Sequence, residues 1–424
     1  MLDIKFIREN QKKVQKACKN KKVLLDIEDV LNLDKQRKAL LDKVEDLRCQ
    51  KNKLGKEDIS KARKIKMHLK EIEPKLKETE GLFEKLMLQV PNIPMKDVPI
   101  GKDDTENKKI REWGEIPKFD FEVKDHVSLG KSLDIIDTKT ASKVAGSRFS
   151  YLKGKLVLLE MALIQYAFEI LTSQKIIKKI ADSVEKNYSD KIFIPVIPPV
   201  MIRPEVFTKM ARLSPADKDD RYYFPKDDLY LIGSAEHTLG AMHMDETIAE
   251  NQFPIRYAGF STSFRREAGS YGKDTKGIFR VHQFDKIEME SFTLPENSLK
   301  EHNFFVAIEE YLMQSLKIPY RVVVVCTGDM GGPNVRQVDI ETWFPGQGKY
   351  RETHSADLMT DYQARRLKTR VKRKNGSEFV HMNDATVFAV GRTLIAIMEN
   401  YQQKDGSILV PEVLKKYVNF EKID

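Results

Sequence analysis

The sequence predicts an α+β protein: a body on an antiparallel β-sheet with flanking helices, preceded by an antiparallel pair of long helices. Three observations lead there. Apolar residues in the first 90 positions recur at intervals of three, four and seven, the signature of one stripe along a helix. Beyond them, β-branched runs lie at irregular separations, without the regular strand–helix alternation of a doubly wound sheet. The charge is also divided. Residues 1–90 hold 24 Lys and Arg against 16 Asp and Glu, whereas the remainder holds 49 against 48. A basic module joined to a near-neutral body points to one part that meets a polyanion and another that does chemistry. Standing alone, the basic segment reads equally well as a solvated helix face.

The length of 424 residues allows two or three domains and a sizeable core. With 41% hydrophobic and 32% charged residues, no run approaches the roughly 20 apolar residues of a membrane span. The opening Met1-Leu2-Asp3-Ile4-Lys5-Phe6 interleaves charges and lacks the apolar core of a signal peptide. Cys18, Cys49 and Cys326 are scattered, with no CxxC pair. The expectation is a cytoplasmic protein without disulfides, cysteine-bound zinc or membrane contact.

Taken in order, Leu33, Leu40, Val44, Leu47 and Leu54 define one helix, and Ile65, Leu69, Ile72, Leu76, Thr79, Phe83, Leu86 and Val90 a second. Gly55, Asp58 and Ser60 interrupt the pattern, so the chain reverses there and the helices pair. Each reaches about 40 Å at 1.5 Å per residue. Pro74 predicts a kink or split in the second helix. Pro91, Pro94, Pro99 and Gly101, with the charged run after them, read as a linker. The arm and linker therefore occupy residues 1–108 and the body residues 109–424. Within the body, residues 155–185 have helical periodicity. Residues 191–199 form an edge strand ended by proline, residues 320–326 a buried strand, and residues 389–401 an amphipathic helix that opens with Gly391-Arg392.

Neither GxxxxGK[ST] nor a GxGxxG after a strand is present, so a nucleotide would be held by arginines instead of a glycine cradle. The best candidate is Phe264-Arg265-Arg266-Glu267, a loop with Gly269, Gly272 and Gly277, then His282-Gln283-Phe284-Asp285-Lys286-Ile287-Glu288. Such a hairpin can read phosphate, base and ammonium; on residue types alone, a charged surface loop is an equal reading.

This hairpin resembles motif 2 of class II aminoacyl-tRNA synthetases. The strand at 192–199 with the helix before it resembles motif 1, and Gly391-Arg392-Thr393-Leu394 resembles motif 3. Leu231-Ile232-Gly233-Ser234-Ala235-Glu236, Trp343-Phe344-Pro345-Gly346-Gln347, Gln363-Ala364-Arg365-Arg366 and Glu399-Asn400-Tyr401-Gln402 are similar to the seryl branch, as are the basic arm, Leu2-Asp3 and Ile7-Arg8. The motifs run in order along essentially the whole chain.

The resemblance implies a class II catalytic domain on a seven-stranded type of antiparallel sheet and an N-terminal tRNA-binding coiled coil. It also implies an ATP-dependent serine–tRNA ligase that forms seryl-adenylate and loads tRNA(Ser), with tRNA(Sec) an open second acceptor. Arg265 and Arg392 would be the catalytic contacts, on the α- and γ-phosphates. The ATP site would comprise them with Arg266, Glu267 on the adenine amino group, Phe284 stacked on the ring, and Glu352, Thr353, His354 and Ser355. Glu352 and Ser355 would ligate Mg²⁺. Serine would meet Ser234, Ala235, Glu236, Arg265, Glu288 and Thr386. Arg48, Lys51, Lys53, Lys56, Lys61 and Arg63 would grip the RNA. Motif 1 would build a homodimer.

Departures from the family pattern are Ser234 for Thr, Met382 for Thr, Asp384 for Asn and His354 for Ser. Taken singly, Arg265 or Arg392 is more readily a salt-bridge partner, Phe284 a core residue and Glu352 a solvated acid. His237, His243, His282 and His381 lack the HxxxH spacing with an acid that zinc would use, so no zinc is expected. Two further readings are a ligase that loads a carrier protein, which the arm disfavours, and an RNA-binding paralogue without activity, which the intact Arg265, Glu267, Glu352 and Arg392 disfavour.

Overall fold

Asp3 and Asp26 start two helices of the first unit, Met1–Pro94, by accepting from the backbone N–H of Lys5 and Glu28, the N-cap role suited to short acids. The helices are α1 (Ile4–Glu9), α2 (Gln11–Asn20), α3 (Ile27–Asn52) and α4 (Ile59–Met87); labels here cover only the elements the argument uses. The computed structural model describes residues 1–55, 58–214, 218–268, 274 and 276–424. Val44, Leu69 and Leu76 are buried between α3 and α4, flanked by Leu40, Leu47, Ile65 and Ile72. Arg48 pairs with Glu73 and Arg37 covers the ring of Phe83, which fixes an antiparallel register. At the other end of the pair, Ile7, Val14, Ile27, Val30, Met87 and Val90 form a separate core. Asp34, 2% exposed, is held there by Arg8 and Arg37.

Pro74 does not split α4, which runs through it. The proline and Lys70, whose carbonyl loses its partner, are both exposed, so water can satisfy the freed group.

The second unit, Met95–Asp424, begins earlier than the linker reading placed it. Met95 N donates to Val335 O at 2.8 Å and Thr327 N to Pro99 O at 2.9 Å, so residues 95–108 belong to the body. Eight strands build its main sheet: β1 (Lys108–Trp113), β2 (Ile194–Val196), β3 (Ile255–Phe264), β4 (Gln283–Thr293), β5 (Tyr320–Val324), β6 (Arg336–Phe344), β7 (Lys349–Thr360) and β8 (His381–Ala389). Their order is β1-β5-β6-β7-β8-β4-β3-β2. All neighbours are antiparallel except β2 and β3. The added eighth strand and this parallel pair are the differences from the expected seven-stranded antiparallel sheet.

The helical stretch 155–185 is two helices, α5 (Lys155–Thr172) and α6 (Gln174–Val184), bent by 68° at Ser173. With α7 (Ser298–Ser315) and α8 (Val390–Asn400) they complete the core. Among the described residues, no single helix is long and apolar enough to cross a membrane. Alternation then separates core from cavity. Ile287 and Met289 of β4, and Ala385 and Val387 of β8, enter the core; Glu288, Asp384 and Thr386 between them line a cavity. Arg256 of β3 clamps Glu301 of α7 at 2.7 and 2.8 Å, both groups fully buried. Removing one partner from such a pair typically costs about 3–5 kcal/mol.

Candidate active site

The β3–β4 hairpin, β6, β7, β8 and the start of α8 enclose a cavity of about 310 Å³. At one end, Arg265 Nε donates to Gly233 O at 3.1 Å and the guanidinium lies 5.4 Å from the Phe284 ring. This anchorage through Nε leaves the terminal nitrogens for a ligand. Glu267, at φ 53°, is 3.1 Å from Arg280. Arg351 and Arg392 stand 3.8 and 4.6 Å from the Phe279 ring, cation–π contacts that hold two charges beside one apolar face. Arg392 donates to Glu352 O at 3.0 Å and pairs with its carboxylate at 3.3 Å. Burial would raise the Glu352 carboxyl, but Arg392, Arg265, Lys286 and Arg280 outweigh it and hold the group below its ordinary value. Behind it, burial and the charge of Glu352 push Asp339 well up. Asp339 stands opposite Ser355 across the β6–β7 ladder.

The other end is crowded with carboxyl groups. Lys286 Nζ lies 3.0 Å from Ser234 Oγ and 2.8 Å from Glu288 Oε2. Burial drives Glu288 up to about 8 against the pull of Lys286, with Glu236 and Asp384 adding to the rise. Glu236 goes the other way: burial is overcome by His237, Lys286 and Arg212, which keep it ionised. Its Oε2 is buried without a hydrogen-bond partner among the described residues, an acceptor left for a ligand. Glu288 faces Thr386 across the β4–β8 ladder, so a carboxyl and a hydroxyl share one row. The cavity can thus grip phosphate oxygens at one end and an ammonium with a hydroxyl at the other.

Of the residues expected at the site, Arg265, Glu267, Phe284, Glu352, Thr353, Ser355, Arg392, Glu236, Glu288 and Thr386 line this one cavity. Four do not. Arg266 packs on the Tyr222 ring at 5.8 Å, because successive side chains leave an extended backbone on opposite sides. His354 is 1% exposed, bonds Thr353 Oγ1 at 2.8 Å and packs on Phe388; burial pushes it down to about 3, so it is neutral packing. Ser234 and Ala235 sit behind the wall, the first holding Lys286 and the second in an apolar cluster. His237, His243 and His282 make separate contacts, with Gly233 N, Tyr257 and Arg265 O.

Sequence reasoning missed Arg212, Phe279, Arg280 and Lys286, which also line the cavity. Lys286 had a signal: it lies two residues before Glu288 on a strand, hence on the same face. Arg212 had none, since it sits in a loop without periodicity. At the arm, Lys51, Lys53 and Arg63 are exposed, whereas Arg48 and Lys61 pair with Glu73 and Asp58; exposed pairs of this kind are weak. Lys56, Gly269 and Gly272 lie outside the described residues.

A sheet of this topology with arginines on its motif hairpin and on α8 defines a class II aminoacyl-tRNA synthetase core. Residues 221–401 match the family described as tRNA synthetase class II core domain (G, H, P, S and T), and residues 1–94 match the Seryl-tRNA synthetase N-terminal domain. The serine–tRNA ligase of Thermodesulfovibrio yellowstonii is 40% identical and that of Nitrosopumilus maritimus 39%, each aligned over 100% of both chains. The solved seryl-tRNA synthetase of Pyrococcus horikoshii, complexed with ATP, superposes with a TM-score of 0.89 at 37% identity, covering 100% of this chain and 99% of its own. That of Naegleria fowleri, in complex with AMP, gives 0.86 at 32%, with the same coverage. The chain belongs to the seryl-tRNA synthetase family.

Glu288 offers a direct check of the electrostatics. Unfolded, its carboxyl loses its proton near about 4.3; folded, it keeps the proton up to about 8. Across that window the native state binds the proton more tightly, so wild-type stability falls as pH rises. Glu288→Gln lacks this loss. The melting temperature of the variant relative to wild type should climb between pH 5 and pH 8 and then level off. A difference independent of pH would mean that Glu288 is ionised throughout.

Proposed function

We propose that this chain is a serine–tRNA ligase that activates L-serine with ATP and transfers it to tRNA(Ser). The observation that carries this reading is the two-ended cavity, with Arg265, Phe284, Glu352 and Arg392 at one end and Glu236, Lys286, Glu288 and Thr386 at the other. In the first step a serine carboxylate oxygen attacks the α-phosphorus of ATP in line, and the bond to the bridging oxygen of the leaving pyrophosphate breaks. The carboxylate is a nucleophile already at neutral pH, so positioning and charge stabilisation supply the rate. Arg265 holds the α-phosphate, Arg392 the γ-phosphate, Phe284 stacks on the adenine and Glu267 accepts from its amino group. In the second step the terminal 3′-hydroxyl of the RNA attacks the seryl carbonyl carbon and AMP leaves.

Glu352 and Ser355 would hold Mg²⁺, with Asp339 behind them. These are hard oxygen donors that suit such an ion, and the buried Asp339 beside Ser355 adds a third carboxylate or hydroxyl oxygen nearby. When bound, the ion supplies charge neutralisation on the triphosphate. Glu236 and Glu288 would receive the serine ammonium and hydroxyl together with Thr386. A pocket built to hydrogen-bond a hydroxyl rejects alanine strongly, because alanine leaves buried groups unpaired. We place the activity in the cytoplasm, consistent with three free cysteines. The exposed apolar side chains of Ile192, Ile194 and Ile197 at the β2 edge support a homodimer closed through that edge.

Serine-dependent ATP–pyrophosphate exchange tests the reading: among the amino acids, serine should drive exchange. Arg265→Ala should cut the rate by about 10²–10³-fold or more, the usual loss for a transition-state charge contact, without loss of fold; near-normal exchange would refute its role. Sedimentation of the intact protein at micromolar concentration should give twice the chain mass, and a stable monomer would rule out the edge-to-edge dimer. Replacing residues 30–90 by a short linker should leave exchange nearly intact. Transfer to tRNA(Ser), and to tRNA(Sec) if it is an acceptor, should fall sharply, with a shallower salt dependence. Unchanged charging by the truncated protein would mean that the basic arm does not bind RNA.

A further inference from the structure

The amino-acid end of the cavity holds more acid than one ammonium needs. Glu290 of β4 stands opposite Asp384 of β8, and Asp384 opposite Asp357 of β7. Three buried carboxyl groups therefore lie in one row on neighbouring strands, about 4.8 Å apart. Like charges directly opposite one another destabilise a sheet, and burial sharpens the cost. Glu290 is fully buried, with both oxygens lacking a hydrogen-bond partner among the described residues, which suits a neutral acid.

A single cation is paired with the row among the described residues. Arg212, from the loop after the helix Pro204–Lys209, places Nη2 2.7 Å from Asp384 and 3.2 Å from Asp357. It lines the same cavity as Glu236, Glu288 and Thr386. Asp384 lies two residues from Thr386 on one strand face, so the carboxylate that Arg212 holds is next to the hydroxyl expected to meet serine. This is also the position where the chain departs from the Asn of its family. An amide would bring no charge to the row; an aspartate needs a counter-ion, and Arg212 is placed to be it.

We propose that Arg212 is a specificity-determining positioning residue whose ion pair with Asp384 fixes that carboxylate as an acceptor at the side-chain end of the amino-acid pocket. The proposal rests on the reading of this end as the serine site. Arg212 pairs with both Asp384 and Asp357, offsets one of their two negative charges, and touches neither reacting atom. A carboxylate held by a guanidinium accepts a charge-assisted hydrogen bond, which favours serine over alanine. The two members depend on each other. Without Arg212 the row loses its counter-ion and Asp384 its fixed position. Without the Asp384 charge, Arg212 is left to Asp357 alone, and position 384 loses the partner that fixes its acceptor.

Serine-dependent pyrophosphate exchange on the full chain, with KM measured separately for serine and ATP, tests this. Arg212→Gln and Asp384→Asn should each raise the serine KM by about ten-fold and leave the ATP KM within about two-fold, and the double variant should recover most of that loss, the pattern of a coupled pair. An unchanged serine KM in Asp384→Asn, or a double variant no better than Asp384→Asn alone, would overturn the proposal. Those two variants decide the matter even if Arg212→Gln does not fold. Equal increases in both KM values would assign Arg212 a purely structural role and overturn it as well. Wild-type exchange that does not depend on serine would instead remove the functional reading on which the proposal stands.

Discussion

The structure depends on burying charge against charge. The cavity walls carry the buried acids Glu236, Glu288, Asp357 and Asp384 at one end, and Glu267 and the exposed Glu352 toward the other, set against Arg212, Lys286, Arg265, Arg280 and Arg392. The four buried acids cannot be tolerated alone, since an unpaired ion taken from water into the interior costs several kcal/mol. They are tolerated because charges of opposite sign from strands, loops and a short helix meet around one cavity. Where cations run short, protons make up the balance: Glu288 and Glu290 are raised, first by burial and then by the neighbouring Asp384 and Glu236. The opposite strand faces carry Ile287, Met289, Ala385 and Val387 into the apolar core, so one alternation supplies both the hydrophobic stabilisation and the polar site.

That alternation is why much of the site was legible in the sequence. Glu288 and Thr386 fall on the cavity face of their strands because of where their apolar neighbours point, and the arginines of the hairpin and of α8 flank those strands. The arm was legible for a similar reason, since Leu69, Leu76 and Val44 mark a helical stripe that has one partner to face. Two residues that the resemblance placed at the ATP site do not line the cavity. Arg266 and His354 follow cavity-lining neighbours in the chain but leave the backbone on the other side, onto Tyr222 and Phe388. Pro74 was read from a rule about helix interiors that loses its force at an exposed turn. Arg212 was invisible because its role comes from a contact with residues 145 and 172 positions away, which no local pattern encodes.

The two ends of the cavity solve different electrostatic problems. The phosphate end is rich in arginine, and Glu352 there stays ionised because four cations surround it. A polyanionic ligand suits such a region, and the acids present there restrain the arginines until it arrives. The Glu236–Glu288 end has the reverse bias: its acids outnumber its cations, so an ammonium there would find carboxyl groups that binding would help to ionise. A zwitterion with its carboxylate toward Arg265 and its ammonium toward Glu236 and Glu288 would lie along this gradient. Orientation would then be set by the field before any single hydrogen bond forms.

The arm separates a second kind of electrostatics from the first. Its lysines and arginines are mostly exposed, and the few pairs they make, Arg48 with Glu73 and Lys61 with Asp58, are solvent-screened. Such charges suit a backbone of phosphates, where each contact adds a modest, salt-sensitive increment and none demands exact placement. The charges in the cavity gain their strength from burial and rigid strands, which the arm does not provide. Keeping the two sets in different compact units, Met1–Pro94 and Met95–Asp424, lets the first remain basic overall while the second stays near neutral. A cavity carrying the arm's excess charge would hold its acids ionised and spend its arginines' selectivity on any anion. The division of charge along the chain therefore suits an exposed basic arm for a polyanion and a near-neutral body whose cavity discriminates among small ligands.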